Sequence, residues 1–221
     1  MGAASTGSLQ RLQRLTSKLP GAPALKQRLH DNVAACGVVY RLSMDRQPAG
    51  FTLLTYHMIL ERPDPFYPWA VLRPAFERQL RFVQRHCTVL SLNEIADRLD
   101  RGQPLPPRCV SLTFDDGYRD FSTTAWPLLQ QYRLPATLFL TVDACERGWL
   151  WPDLLIQAAR TTTRQAVTIE GLPGQAPSWP LRTLEERVRA AHELCRALKR
   201  LPNARRLDAL DELVRQLLIR G

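Results

Sequence analysis

Apolar positions along the chain fall into two periods, and the switch between them organises the reading. Phe51 to Thr55 is a short apolar and β-branched run, as are Thr88-Val89-Leu90, Val110 to Phe114 and Ala136 to Val142. Short runs of this kind read as strands. Between them the period lengthens. Phe76, Leu80 and Val83 supply one helical face, with Pro74 in the first turn of its helix. Ser91 and Glu94 form a capping box that opens a second helix, which runs to about Arg101 and stops at Gly102. Residues 120–132 give a third helix. The order is βα, βα, βα, β, which predicts an α/β chain with a parallel sheet or a (β/α) barrel.

Either side of this core the pattern changes. Residues 1–22 carry no apolar core, and the sequence predicts a flexible N-terminus there. In residues 23–50, Leu25, Leu29, Val33, Cys36 and Tyr40 fall on one helical face. That predicts an amphipathic helix packed on the domain; a basic helix at a membrane surface is the alternative. Residues 51–150 form the predicted core. Residues 151–221 predict a helical segment: a helix from Trp151 to about Arg160, a strand over Ala166–Ile169 in a hairpin-like insert, a Gly/Pro-rich loop through Pro180, and helices over 183–200 and 204–219.

Composition adds limits. No run approaches 18 apolar residues, the least a spanning helix needs, and residues 1–19 do not form a secretory signal peptide. Both predict a cytoplasmic protein, with peripheral membrane contact as the variant. The formal net charge is +9. The arginines that carry it are scattered and no aromatic-basic motif accompanies them, so no nucleic-acid partner is predicted. Five widely spaced cysteines without a C-x-x-C predict reduced, mostly buried thiols.

Candidate chemistry sits at the end of one strand. Val110–Phe114 leads into Asp115-Asp116-Gly117-Tyr118. Side chains alternate along a strand, so two adjacent aspartates serve one site only where the chain leaves strand geometry. Gly117 is the residue that tolerates this. Two carboxylates this close favour a cation between them, with one as ligand and the other as base towards a bound water. Asp-Gly is also a common turn signal. His57 ends another strand, as a pocket residue or as a hydrogen-bonded structural histidine. Pro63–Trp69 carries three aromatics, which either stack on sugar or pack over a loop.

Thr113-Phe114-Asp115-Asp116-Gly117 resembles the first motif of the polysaccharide deacetylases of the NodB-homology type (carbohydrate esterase family 4-like). The flanks Leu53–His57, Ser91–Ile95, Ala125–Leu129 and Leu134–Phe139 agree with it. The similarity runs from about residue 51 to about residue 155. It implies a distorted (β/α) barrel and metal-dependent hydrolysis of N-acetyl groups on a carbohydrate. Asp115 would be the catalytic base, Asp116 a ligand of a divalent metal such as zinc, and His57 and Tyr118 pocket residues. The partner would be an N-acetylated glycan.

The chain departs from that family in two respects: the His-x-x-x-His pair that would complete the metal site is missing, and so are the later motifs carrying an Arg, an apolar lining and a catalytic-acid His. Its histidines are His30, His57, His86 and His192, and no His-x-x-x-His pair follows the aspartates. The sequence therefore reads as the N-terminal part of such an enzyme with an incomplete barrel. The alternative is a truncated or non-catalytic homologue that binds glycan or a partner subunit. Apolar faces near Leu112, Phe114 and Phe139 would then lack cover, which predicts self-association. An apolar strand ending in two aspartates also suits phosphate chemistry, but no phosphate-binding glycine loop supports that.

Overall fold

The computed structural model describes residues 50–169, 172 and 178–218. The expectations for residues 1–22 and for a helix over 23–50 lie outside them. The fold is mixed α/β and divides into two compact units. Among the described residues, one holds 50–61 and Val71–Leu138, the other Arg62–Ala70 and those from Phe139 on.

The first unit is built on a parallel sheet. Its strands are β1 (Phe51–Tyr56), β4 (Thr88–Val89), β5 (Cys109–Phe114) and β6 (Thr137–Leu138). β5 is central and every residue of it is buried. β1 pairs along its whole length, from Phe51 opposite Cys109 to Tyr56 opposite Phe114. On the other edge β4 meets Cys109 and Val110, and β6 meets Thr113 and Phe114. All three pairings are parallel, as the βα alternation requires. A separate parallel pair, β2 (Ile59–Leu60) and β3 (Val71–Leu72), follows β1.

Two helices cover one face of β5. Helix α1 (Arg73–His86) buries Ala75, Phe76, Leu80 and Val83, and Pro74 stands in its first turn, where no N–H partner is needed. Helix α3 (Trp126–Tyr132) buries Leu128 and Leu129. Val110, Leu112 and Phe114 alternate onto this face and join those residues in one core. Tyr56 stacks on Phe114 at 5.2 Å, and Phe76 meets both rings edge-on. Leu112 and Phe114 are thus covered, contrary to the exposed faces expected of them. Phe139 does stay open, at 49% exposure. Helix α2 (Leu92–Asp100) opens on the predicted capping box: Ser91 Oγ accepts from the Glu94 N–H and the Glu94 carboxylate accepts from the Ser91 N–H.

Two local expectations change. The run 136–142 gives only two strand residues, because β5 ends at Phe114 and offers β6 no backbone partner beyond Leu138. From Val142 the chain turns into α4 (Val142–Arg147). The helix read over 120–132 opens as a π-helical turn, Phe121–Ala125, in which the Trp126 N–H reaches the Phe121 carbonyl. Pro127 explains the wider turn. It has no N–H to give the Thr123 carbonyl, and its ring would crowd that carbonyl in an α-helical register.

The second unit is mainly helical: α5 (Trp151–Thr161), α6 (Leu184–Leu198) and α7 (Asn203–Leu218). Leu155, Leu194, Leu198 and Leu213 are fully buried in their shared core. Ala166–Thr168 (β7) pairs antiparallel with Ser178–Pro180 (β8). β8 lies in what reads as loop in the sequence. Trp179 holds it there, 3% exposed, with its indole N–H donated to Glu193.

Residues 62–70 belong to this unit although they lie between β2 and β3 in the chain. Phe66 is fully buried beside Ile156, Ala159 and Ala191. Asp64 pairs with Arg160 at 2.7 Å, and the Arg160 guanidinium lies 4.4 Å over the Phe66 ring. Tyr67 donates to Asp153 at 3.0 Å, and a His192 ring nitrogen lies 2.9 Å from the Phe66 carbonyl. Phe66 and Tyr67 therefore pack, while Trp69 stays 54% exposed. His192 is thus tied into this loop.

The four described cysteines are free. Cys109 is buried, Cys87 and Cys195 are half-buried and Cys145 is exposed, so burial is less general than the sequence suggests. Burial pushes the Cys195 thiol up to about 12.

Candidate active site

The site grows from the carboxyl end of β5, where the sheet stops supplying partners. The last pairing of β1 with β5 sets Tyr56 beside Phe114. One more bond continues the seam: the Asp115 N–H donates to the Tyr56 carbonyl at 2.9 Å. The Gly117 N–H then returns to the Asp115 carbonyl, also at 2.9 Å. That closes a three-residue turn around Asp116, whose φ is +72°. A γ-turn with positive φ is rare and strained. Gly117 follows at φ +77°. The sequence assigns the departure from strand geometry to Gly117 alone; the structure begins it one residue earlier, at Asp116 itself. The strain falls on the residue that carries a candidate ligand, a placement typical of functional sites.

His57 leaves β1 next to this corner. Its Nε2 lies 3.9 Å from Asp115 Oδ2, within ion-pair range and beyond hydrogen-bond length. The side chains are 50% and 38% exposed, so both groups stay open to water. Asp116 and Tyr118 are half-buried in the same loop. The structure thus brings His57 and Asp115 together, and Asp116 and Tyr118 follow Asp115 in the same loop. It does not add the remaining described histidines: His86 packs on Phe82 at the end of α1, and His192 belongs to the second unit.

Asp120 is the group that sequence reasoning passes over. It precedes the π-helical turn, and its Oδ2 accepts from the Ile59 N–H. Burial pushes its carboxyl above the usual aspartate range, partly opposed by that bond. Its spacing from the Asp-Asp pair is visible in the chain, but its partner lies 61 residues away. Ser122 and Thr123 donate their hydroxyls to the Arg119 carbonyl and steady the start of the same turn.

A carboxylate in this setting has the geometry of a general base: it is solvent-open, fixed through its backbone and beside an imidazole. A metal is less well served. Among the described residues no group of three or more His, Cys, Asp or Glu side chains is placed to hold an ion. Catalytic zinc takes three protein ligands. Asp116 is one donor, so the described side chains alone do not fit such a centre.

A family model described as polysaccharide deacetylase matches residues 102–167. The chain is similar to the poly-β-1,6-N-acetyl-D-glucosamine N-deacetylase of Escherichia coli (strain K12). They are 31% identical over 88 residues, 39% of this chain and 13% of that protein. It is also similar to YxkH of Bacillus subtilis (strain 168), 30% identical over 95 residues, 42% of this chain and 33% of that protein. Among solved structures, the Streptococcus pyogenes deacetylase PplD in complex with acetate matches with 28% identity and a TM-score of 0.41. That match covers 46% of this chain and 47% of that one. The chain spans a third or less of the curated relatives it matches. Asp115 and Asp116 lie within the segment that the polysaccharide deacetylase family model matches.

Proposed function

We propose that the chain carries the base-bearing corner of a carbohydrate N-deacetylase with a distorted (β/α) barrel. Its substrate class is an N-acetylated glycan. Asp115 takes a proton from the water that attacks the acetamido carbonyl. His57 and Tyr118 border the pocket. Metal dependence is part of the proposal, with Asp116 as a single donor to a divalent cation. One observation supports the reading above others: Asp115 stands open to solvent at the end of a fully buried central strand, 3.9 Å from His57. Active sites in α/β folds are built at that end of the strands.

A second reading rests on the donor count. With no three-ligand group among the described residues, the chain is a glycan- or partner-binding homologue without turnover. Acetate release from N-acetylglucosamine oligomers, with zinc added, separates the two. Turnover that Asp115→Asn abolishes supports the hydrolase. Oligomer binding without acetate release, with weak zinc affinity that Asp116→Asn removes, supports the second reading and is the expected result for this chain alone. Neither binding nor turnover would overturn both.

A further inference from the structure

We propose that Asp120 is a positioning residue: its carboxylate fixes the backbone at Ile59 and thereby holds His57 against Asp115. The proposal deepens the reading above and rests on it for the importance of the His57–Asp115 pair.

Little holds the His57 side chain itself. Its side chain is half exposed, so burial does not fix it, and its contact with Asp115 is too long for a hydrogen bond. Its position must come from its backbone. His57 and Met58 form the whole connection between β1, which ends at Tyr56, and β2, which begins at Ile59. Both ends of that connection are tied to the loop after β5. At one end the Tyr56 carbonyl accepts from the Asp115 N–H at 2.9 Å. At the other the Ile59 N–H donates to Asp120. Two residues strung between two fixed points have few backbone conformations left. The loop 115–120 and the turn 56–59 brace each other, and His57 faces Asp115 because Asp120 closes the far side.

The chemistry of Asp120 fits this role. A carboxylate drawn out of water is costly unless it is paired. No ion pair with a cation offsets that cost among the described residues. Its carboxylate accepts from the backbone N–H of a residue that is itself fully buried, Ile59, as well as from its own backbone N–H. Bonds to a charged acceptor are roughly twice as strong as neutral ones. The bond therefore has the strength to set the turn, and the amide it fixes is two residues from His57.

The test reads proximity rather than activity, so it stands apart from the test of the function itself. The probe is the His57 Cε1–H resonance of the full chain by NMR, at one fixed pH, with and without Asp115→Asn. In the parent chain Asp115→Asn moves that resonance. In an Asp120→Asn background the amide oxygen still accepts from Ile59 and the response persists. In an Asp120→Ala background the response is lost, and protection of the Ile59 amide against exchange is lost with it. Asp120→Glu keeps the charge but carries the oxygens one methylene further; it also loses the response, and it serves if the alanine variant does not fold. A full response in the folded alanine or glutamate background would overturn the proposal. So would loss of the response in Asp120→Asn, since charge and not the bond would then be responsible. So would a parent chain in which Asp115→Asn leaves the resonance in place. None of these outcomes depends on acetate release or on zinc.

Discussion

Two groups of carboxylates sit in the two units, and their partners differ in kind. In the second unit Asp64 meets Arg160 at 2.7 Å and the Phe66 N–H at 2.9 Å, and Asp153 accepts from Tyr67 at 3.0 Å. Both of these carboxylates are answered by short contacts. In the first unit the ion-pair contact of Asp115 is with His57, at 3.9 Å. Asp116 stands on a strained turn. A cluster whose members satisfy one another is finished and holds a loop in place. A cluster kept open to solvent on strained backbone has the pattern common to functional sites.

The largest effects should separate the two groups cleanly. If the chain turns over substrate, Asp115→Asn lowers acetate release by about 10²–10⁴-fold, the usual contribution of a general base. The melting temperature should not fall with it. Phe66→Ala acts in the opposite sense. It empties a fully buried aromatic site and costs about 3–5 kcal/mol. Amide exchange in α5 and α6 should accelerate while the contact between His57 and Asp115 persists. Unchanged exchange in those helices would show that the loop 62–70 is not held as described.

Much of this contrast was legible in the sequence, and the illegible part has a common cause. The strands at 51, 88 and 109, the capping box and the Asp-Asp corner depend on neighbours within a few residues or on simple alternation. The π-helical turn was readable in principle from Pro127, since the missing N–H is a local fact. The Asp64–Arg160 pair, the bond from Ile59 to Asp120 and the seat of His192 on the Phe66 carbonyl were not. They join residues 96, 61 and 126 positions apart. No periodicity encodes such distances. The strain at Asp116 was hidden for another reason: an Asp-Gly pair suggests that the glycine takes the positive φ, and here both residues do.

That strain gives a sharper comparison of intermediate size. Asp116→Gly removes a side chain from a conformation that costs of order 1–3 kcal/mol, less the extra chain entropy of glycine at roughly 0.5–1 kcal/mol. Folding stability should be unchanged or rise by up to about 2 kcal/mol, while the zinc binding proposed for Asp116 should be lost. Gly117→Ala should do the reverse and cost about 1–2 kcal/mol, because alanine resists φ +77°. Denaturant unfolding of the two variants, with zinc titration of each, checks both. A glycine variant that loses stability would mean the Asp116 side chain is a structural anchor after all.

The smallest effect is a pH dependence confined to the finished cluster. Tyr67 is half-buried and donates its hydroxyl to Asp153. Burial pushes its phenol well above the ordinary tyrosine range, the Asp153 charge and bond push the same way, and Arg160 opposes them. The sign follows from proton counting. Above about pH 10 an unfolded tyrosine gives up its proton, while Tyr67 in the folded chain keeps it. The folded state then holds more protons, so its stability falls as pH rises through that point. Below about pH 10 the Tyr67 contribution is complete and flat with pH. Tyr67→Phe should cost about 1 kcal/mol near neutrality, the net value of one such bond. It should also make the alkaline loss of stability shallower, so that parent and variant converge as pH rises. Urea unfolding near neutrality and above about pH 10 measures the convergence, and absorbance titration should show one tyrosine ionising after the rest. A variant whose deficit stayed constant through the alkaline range would mean that Tyr67 does not keep its proton, and that this cluster is more open to water than its short contacts imply.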